Sequence, residues 1–239
     1  MVRHMGHQRI MRRLARWHVW LGWLIGVPIV IWTLSGLVMV ARPIEEVRGE
    51  HLRAAPAAIE PAGLVLPRLT APVRAVELAD QPRGIAWIVT EADGGRFRYS
   101  ARDGGVIAPV TQAEARAIAE RAFSGAAPLE TLSYLPADLA PLDLRTPVAS
   151  WQARFADGTN LYVEDATGQV LAIRTRWWRI FDFAWGLHIM DLQTREDTHH
   201  PVLIIFAVLA SAGSLLGCTL LFRRRKVRAR ADDGVRTAP

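Results

Sequence analysis

From Trp17 to Ala41 the chain runs 25 residues without an aspartate, glutamate, lysine or arginine, and from Pro201 to Phe222 it runs 22 more. An α-helix rises about 1.5 Å per residue, so roughly 20 residues cross the hydrocarbon core of a bilayer. Buried helices of soluble domains rarely stay uncharged for so long. The two runs therefore predict two transmembrane helices, over residues 17–41 and 201–222. A cleaved signal peptide does not fit the first run, because a signal core spans only about 7–15 residues. Ala41-Arg42-Pro43 is also a poor cleavage site.

Charge placement says what the spans hold apart. The chain is 51% hydrophobic, which excludes intrinsic disorder, yet its net charge is +6. Residues 1–16 carry five arginines and no acid, a charge of +5. Residues 223–239 carry seven basic residues and two aspartates, again +5, and residues 42–200 are left with −4. A nucleic-acid binder would place its basic patch on the folded domain. Here the basic residues are two tails that abut the apolar runs. By the positive-inside rule both tails are cytoplasmic, and the middle of the chain lies outside the inner (plasma) membrane of a bacterium as a periplasmic domain. The single cysteine, Cys218, excludes a disulfide scaffold.

Residues 42–72 hold five prolines and many alanines and read as a linker with little regular structure. After it a pattern occurs twice. The first copy is Trp87 to Asp93-Gly94, then Phe97-Arg-Tyr99, then Gly104. The second is Trp151 to Asp157-Gly158, then Leu161-Tyr-Val163, then Gly168. Asp-Gly between apolar runs is a strong hairpin signal, so each copy predicts two or three short antiparallel strands. Between the copies, Thr111 with Glu114 forms a capping-box pattern. Ala115, Ile118, Ala119 and Ala122 follow at helical spacing, and Gly125 and Pro128 end the helix. The expectation over residues 73–175 is an antiparallel α+β domain with one sheet face packed on the helix. Residues 176–200 begin with Trp177, Trp178, Phe181, Trp185 and His188, an amphipathic helix expected to lie on the outer membrane surface. A helix packed on the sheet is the rival reading.

Several stretches resemble a known family. Thr111-Gln-Ala-Glu-Ala115, followed by Trp151, Asp157-Gly158 and Tyr162-Val-Glu-Asp165-Ala-Thr-Gly168, is similar to a PepSY domain. Arg16-Trp17-His18-Val-Trp20-Leu-Gly22 with Leu34-Ser35-Gly36 resembles the PepSY-associated transmembrane family. So does Trp185-Gly-Leu-His188-Ile-Met190-Asp191 followed by Arg195 and His200-Pro201. The resemblance implies an α+β membrane protein in which two transmembrane helices flank an extracytoplasmic PepSY-like sheet-plus-helix domain. Larger members with more spans include haem-containing reductases of siderophore-bound iron. With only two spans, this chain is expected to be a small haem-b electron-transfer or iron-reduction component, or an accessory of a larger redox complex. The rival readings are a non-enzymatic module that restrains a peptidase and a structural assembly subunit.

His18, His188, His199 and His200 are the candidate haem ligands. His18 sits among Trp17, Trp20 and Trp23, which also suits an interfacial aromatic belt. The other three precede the second span, about 30 Å from His18 across a bilayer. One haem cannot bridge that distance. A partner for His18 then comes from His18 of a second copy in a twofold homodimer, from His4 or His7, or from another subunit. His188 with His200, or with His199, makes a second site. Met190-Asp191 and Arg195-Glu196-Asp197 suit either a metal or a capped loop, and Asp165-Ala-Thr-Gly168 suits either a flavin linkage or a turn. Patterns such as HExxH, GxSxG and the phosphate-binding loop are absent, so no hydrolase or transferase activity is supported.

Overall fold

The computed structural model describes the backbone of residues 2–236 and the side chains of residues 9–222. In chain order the elements begin with α1 (Val2–Met39), α2 (Ile44–Val47), β1 (Val73–Gln81), β2 (Gly84–Glu91), β3 (Arg96–Ser100) and β4 (Val106–Ile107). They continue with α3 (Gln112–Ala122), β5 (Leu129–Leu135), β6 (Ser150–Phe155), β7 (Asn160–Glu164), β8 (Val170–Arg174), α4 (Arg176–Ile189) and α5 (Pro201–Arg236). The chain divides into two units, Met1–Ala41 with Asp182–Pro239, and Arg42–Phe181.

The first unit is a helix pair. Within α1 and α5, the stretches Arg9–Met39 and Pro201–Phe222 are long and apolar enough to cross a membrane, and only 11% of each apolar window is buried. A core helix of a soluble protein would be buried, so these two expect a lipid solvent. Both helices run on into the basic tails, since arginine and lysine are good helix formers. The helices pack in antiparallel register. Gly217 lies against His18, Gly213 against the Ile25 side chain, and Phe206 beside Trp32 with ring centroids 6.5 Å apart. His18, Ile25 and Trp32 fall seven residues apart, the spacing of a helix–helix seam. A Cβ on Gly217 would come within 2.9 Å of the His18 ring, so glycine there lets the two backbones approach. Gly213 and Gly217 of α5 thus serve the contact with α1, whereas a Cβ on Gly22 or Gly26 of α1 would meet nothing within 4 Å among the described residues.

The second unit holds two four-stranded antiparallel meanders, β1-β2-β3-β4 and β5-β6-β7-β8. The duplicated pattern is visible atom by atom. Asp93 accepts a hydrogen bond from the Gly95 amide, and Asp157 accepts one from the Thr159 amide, both at 2.8 Å. Gly94, Gly158, Gly104 and Gly168 all take positive φ, which closes the turns. Each copy has four strands where its pattern predicts two or three, because β1 and β5 precede the tryptophans, Trp87 and Trp151, at which the repeated pattern begins. In the second meander a 14-residue connection separates β5 from β6, where β1 and β2 meet in a tight hairpin.

The core lies between α3 and the second meander. Val110, Ala115, Ile118, Ala119 and Phe123 pack on Ala153, Phe155, Leu161, Val163 and Ile173. Thr111 caps the helix by accepting from the Glu114 amide. The expected reciprocal half of that capping box is replaced. The Glu114 carboxylate instead binds Arg98, with Nη1 at 2.7 Å and Nη2 at 3.0 Å. Arg98 is buried and its five N–H groups all donate, the others going to the Ala108 carbonyl and to Gln81. A buried guanidinium is tolerated only with such full pairing.

Residues 42–72 are less of a free linker than their prolines suggest. Val47 is fully buried, Arg53 forms a β-bridge with Phe123, and the Val65 amide donates to Ala101.

Candidate functional site

Of the candidate residues, His188 has the most elaborate surroundings, and they are built from both sequence stretches that flank the domain. It sits in the last turn of α4. Its Nδ1 lies 3.1 Å from Ser35 Oγ and 3.1 Å from the Trp32 carbonyl on α1. Its ring stacks on Trp32 at 4.5 Å between centroids and 20° between planes. A carbonyl only accepts, and Ser35 Oγ spends its own proton on that same carbonyl at 2.9 Å. The proton of a neutral His188 therefore belongs on Nδ1, and Nε2 keeps its lone pair. Gly36 completes the fit, since a Cβ there would stand 3.1 Å from the ring. Leu34-Ser35-Gly36 and the Trp185–Asp191 stretch are thus two halves of one packing arrangement. No local periodicity links them, because Ser35 and His188 are 153 residues apart.

The loop after His188 is closed by its own side chains. Met190 takes a left-handed φ of 59° at the end of α4. Asp191 is buried and receives the amides of Gln193, Thr194, Glu196 and Asp197 together with the Thr194 hydroxyl. The Thr194 hydroxyl is the largest of the influences that hold the Asp191 carboxyl well below the usual range. Trp185 Nε1 donates to the Arg195 carbonyl at 2.9 Å. Arg195 pairs with the buried Asp182, and Gly186 leaves room for the Arg195 stem. The acids and arginine of this stretch therefore shape a loop. Among the described residues, no three His, Cys, Asp or Glu side chains gather as a metal cage would.

The other histidines are placed differently. His18 packs on Gly217, and its buried Nδ1 has no hydrogen-bond partner. His200 also has a buried, unpartnered Nδ1. His199 is exposed, with its amide on Asp197 and its ring near the Thr198 hydroxyl. Among the described residues, no hydrogen bond or ring contact joins His188 to His199 or His200. The side chains of His4 and His7 lie outside the described residues. His18 and Ser35 stand 17 residues apart on α1, so the His18 and His188 levels are about 25 Å apart. The turn at residues 165–168 is structural: Thr167 is fully buried and its hydroxyl binds Glu164.

The family described as the PepSY-associated TM region has a model that matches residues 15–237. The chain belongs to this family. It is a membrane protein carrying a PepSY-type domain. No curated protein and no solved structure matches it.

Proposed function

We propose that this PepSY-associated transmembrane protein is a haem-b electron-transfer subunit of the bacterial inner membrane. The supporting observation is the setting of His188. One ring nitrogen is held by the Trp32 carbonyl and Ser35, and the other is left with its lone pair. Metal-bound histidines characteristically donate their second ring nitrogen to such a partner, which fixes the tautomer and raises basicity. A porphyrin supplies four of six iron ligands, so one or two histidines suffice and a larger cluster of metal-binding side chains is not needed. His188 would hold the haem iron through Nε2, and a second histidine would come from His200 or from a second copy. His18 lies at a separate level in the seam with α5, so its ring would have to turn away from Gly217 to meet its equivalent across a twofold axis. When bound, haem b supplies one-electron transfer. The chain's own residues orient the imidazole, through Ser35, Trp32 and Gly36, and fix the loop that carries it, through Asp191 and Arg195. The +5 tails hold both termini in the cytoplasm and the PepSY-like domain in the periplasm. Ile180 and Phe183 of α4 rest at the outer lipid surface.

The test is the visible spectrum of detergent-purified protein, oxidised and dithionite-reduced. A Soret band and a sharp reduced α-band are expected. His188→Ala removes one spectral component and His18→Ala another. Ser35→Ala keeps the haem and shifts its midpoint potential. Protein without a Soret band overturns the reading, and an unaltered spectrum in His188→Ala overturns the ligand assignment.

A further inference from the structure

The two meanders carry the same apolar face, and the chain itself shows what covers one of them. Trp87, Phe97, Ala101 and Val106 correspond to Trp151, Leu161, Asp165 and Val170 at a constant offset of 64 residues. The registers agree, with Trp87 opposite Tyr99 and Val89 opposite Phe97 in one sheet, and Trp151 opposite Val163 and Ala153 opposite Leu161 in the other. The entry to each face agrees as well. The Val65 amide donates to Ala101 and the Val110 amide to Asp165, both at 2.8 Å. Trp87 Nε1 donates to the Val65 carbonyl, and Trp151 Nε1 to the Val110 carbonyl. Val65 and Val110 are therefore the same structural position.

The copies part from there. After Val110, 18 residues that include α3 lead to β5, and the helix buries the face. After Val65, seven residues, Leu66–Pro72, cross to β1 without any helix. An extended strap is much narrower than a helix of roughly 10 Å diameter. Val89 is as buried as its twin Ala153, but the next strand differs: Leu161 is 0% exposed while Phe97 is 43% exposed. Val106 and Leu66 are more exposed still, and Val65 and Val76 are about as open as Phe97. Apolar side chains gathered in this way on a solvent-facing domain mark an interaction surface.

We propose that this face of the first meander docks an amphipathic helix from a partner protein, seated beside the strap much as α3 sits on the second meander. The helix presents a strip of small and branched aliphatic side chains, as α3 does with Ala115, Ile118 and Ala119. This inference does not depend on haem.

The experiment uses the full-length chain in nanodiscs and, as the probe, a fluorescent capped peptide of residues 111–123. The seat of α3 on the second meander is already filled, so the open twin is the available site. Saturable binding is expected. Phe97→Ser and Val106→Ser, both at exposed positions, should each weaken it at least tenfold, and a peptide carrying Ile118→Ser should not bind. Absence of binding to protein with an unchanged melting temperature overturns the proposal, as does binding indifferent to Phe97. A photo-crosslinker at Phe97 in native membranes gives a second reading. Adducts mapped to an amphipathic helical segment of another protein support it. Adducts to lipid, or to a second copy of this chain, overturn it.

Discussion

The two meanders began as one plan and solve the same burial problem with different means. In the second, the residue 11 positions after the tryptophan is Tyr162, buried with its hydroxyl bonded by Gln152 and Asn160 and donating to Asp143. In the first, the same position is Arg98, equally buried, with all its donors satisfied by Glu114, Gln81 and the Ala108 carbonyl. On the opposite face the second copy is capped by α3 and the first only by a strap. The difference teaches that a repeat conserves backbone register and turn chemistry more strictly than cover. A strand pairing fails if it slips by one residue, whereas a face is tolerant of helix, strap or partner.

That contrast yields four tests, measured by melting or denaturant unfolding of the full chain. The largest effect falls on the buried ion pair. Arg98→Met should cost about 3–5 kcal/mol, because it leaves the buried Glu114 carboxylate with only the exposed Arg83 at 3.7 Å, and adding Glu114→Leu should recover much of the loss. A small loss in the single variant would show that Arg98 does not hold the first meander to α3. Next come the matched apolar positions. Leu161→Ala should cost about 2–5 kcal/mol as a cavity in a dense core. Phe97→Ala, half-exposed, should cost clearly less, and equal losses would break the comparison. The cap comes third. Thr111→Ala should cost about 1 kcal/mol, since it removes the acceptor for the Glu114 amide. The smallest effect concerns alkaline pH. Burial, followed by the Asp143 charge, raises the Tyr162 hydroxyl above its ordinary 10. A raised pKa in the fold means that stability is whole below pH 10 and falls as pH climbs through the folded value. Tyr162→Phe should flatten that fall, and an unchanged alkaline profile would sharpen the contrast by moving the titration elsewhere.

Much of this architecture is legible in the sequence because it rests on local rules. Uncharged runs, Asp-Gly turns and the 3.6-residue spacing of Ala115, Ile118 and Ala119 each state their structure within a dozen residues. The capping box reads only halfway, since a glutamate three residues after a threonine says nothing of an arginine 16 positions earlier that will claim it. Likewise His188 announces itself in Trp185-Gly-Leu-His, but its partners Trp32 and Ser35 belong to another helix at the far end of the chain. The twin identity of Val65 and Val110 is hidden for a further reason. The α3 segment and the longer β5–β6 connection together break the constant offset there, and the link survives only as hydrogen bonds.

The loop between α4 and α5 has a mechanical consequence. Eleven residues between two helices ordinarily supply slack, and slack is where chains hinge and where proteases cut. Here one buried carboxylate gathers four amides and a hydroxyl, and an arginine is tied both to Asp182 and to the Trp185 indole. The connection behaves as a rivet. The loop is fastened to the half of α4 that bears His188, so the chain leaves for α5 from a braced point rather than from slack.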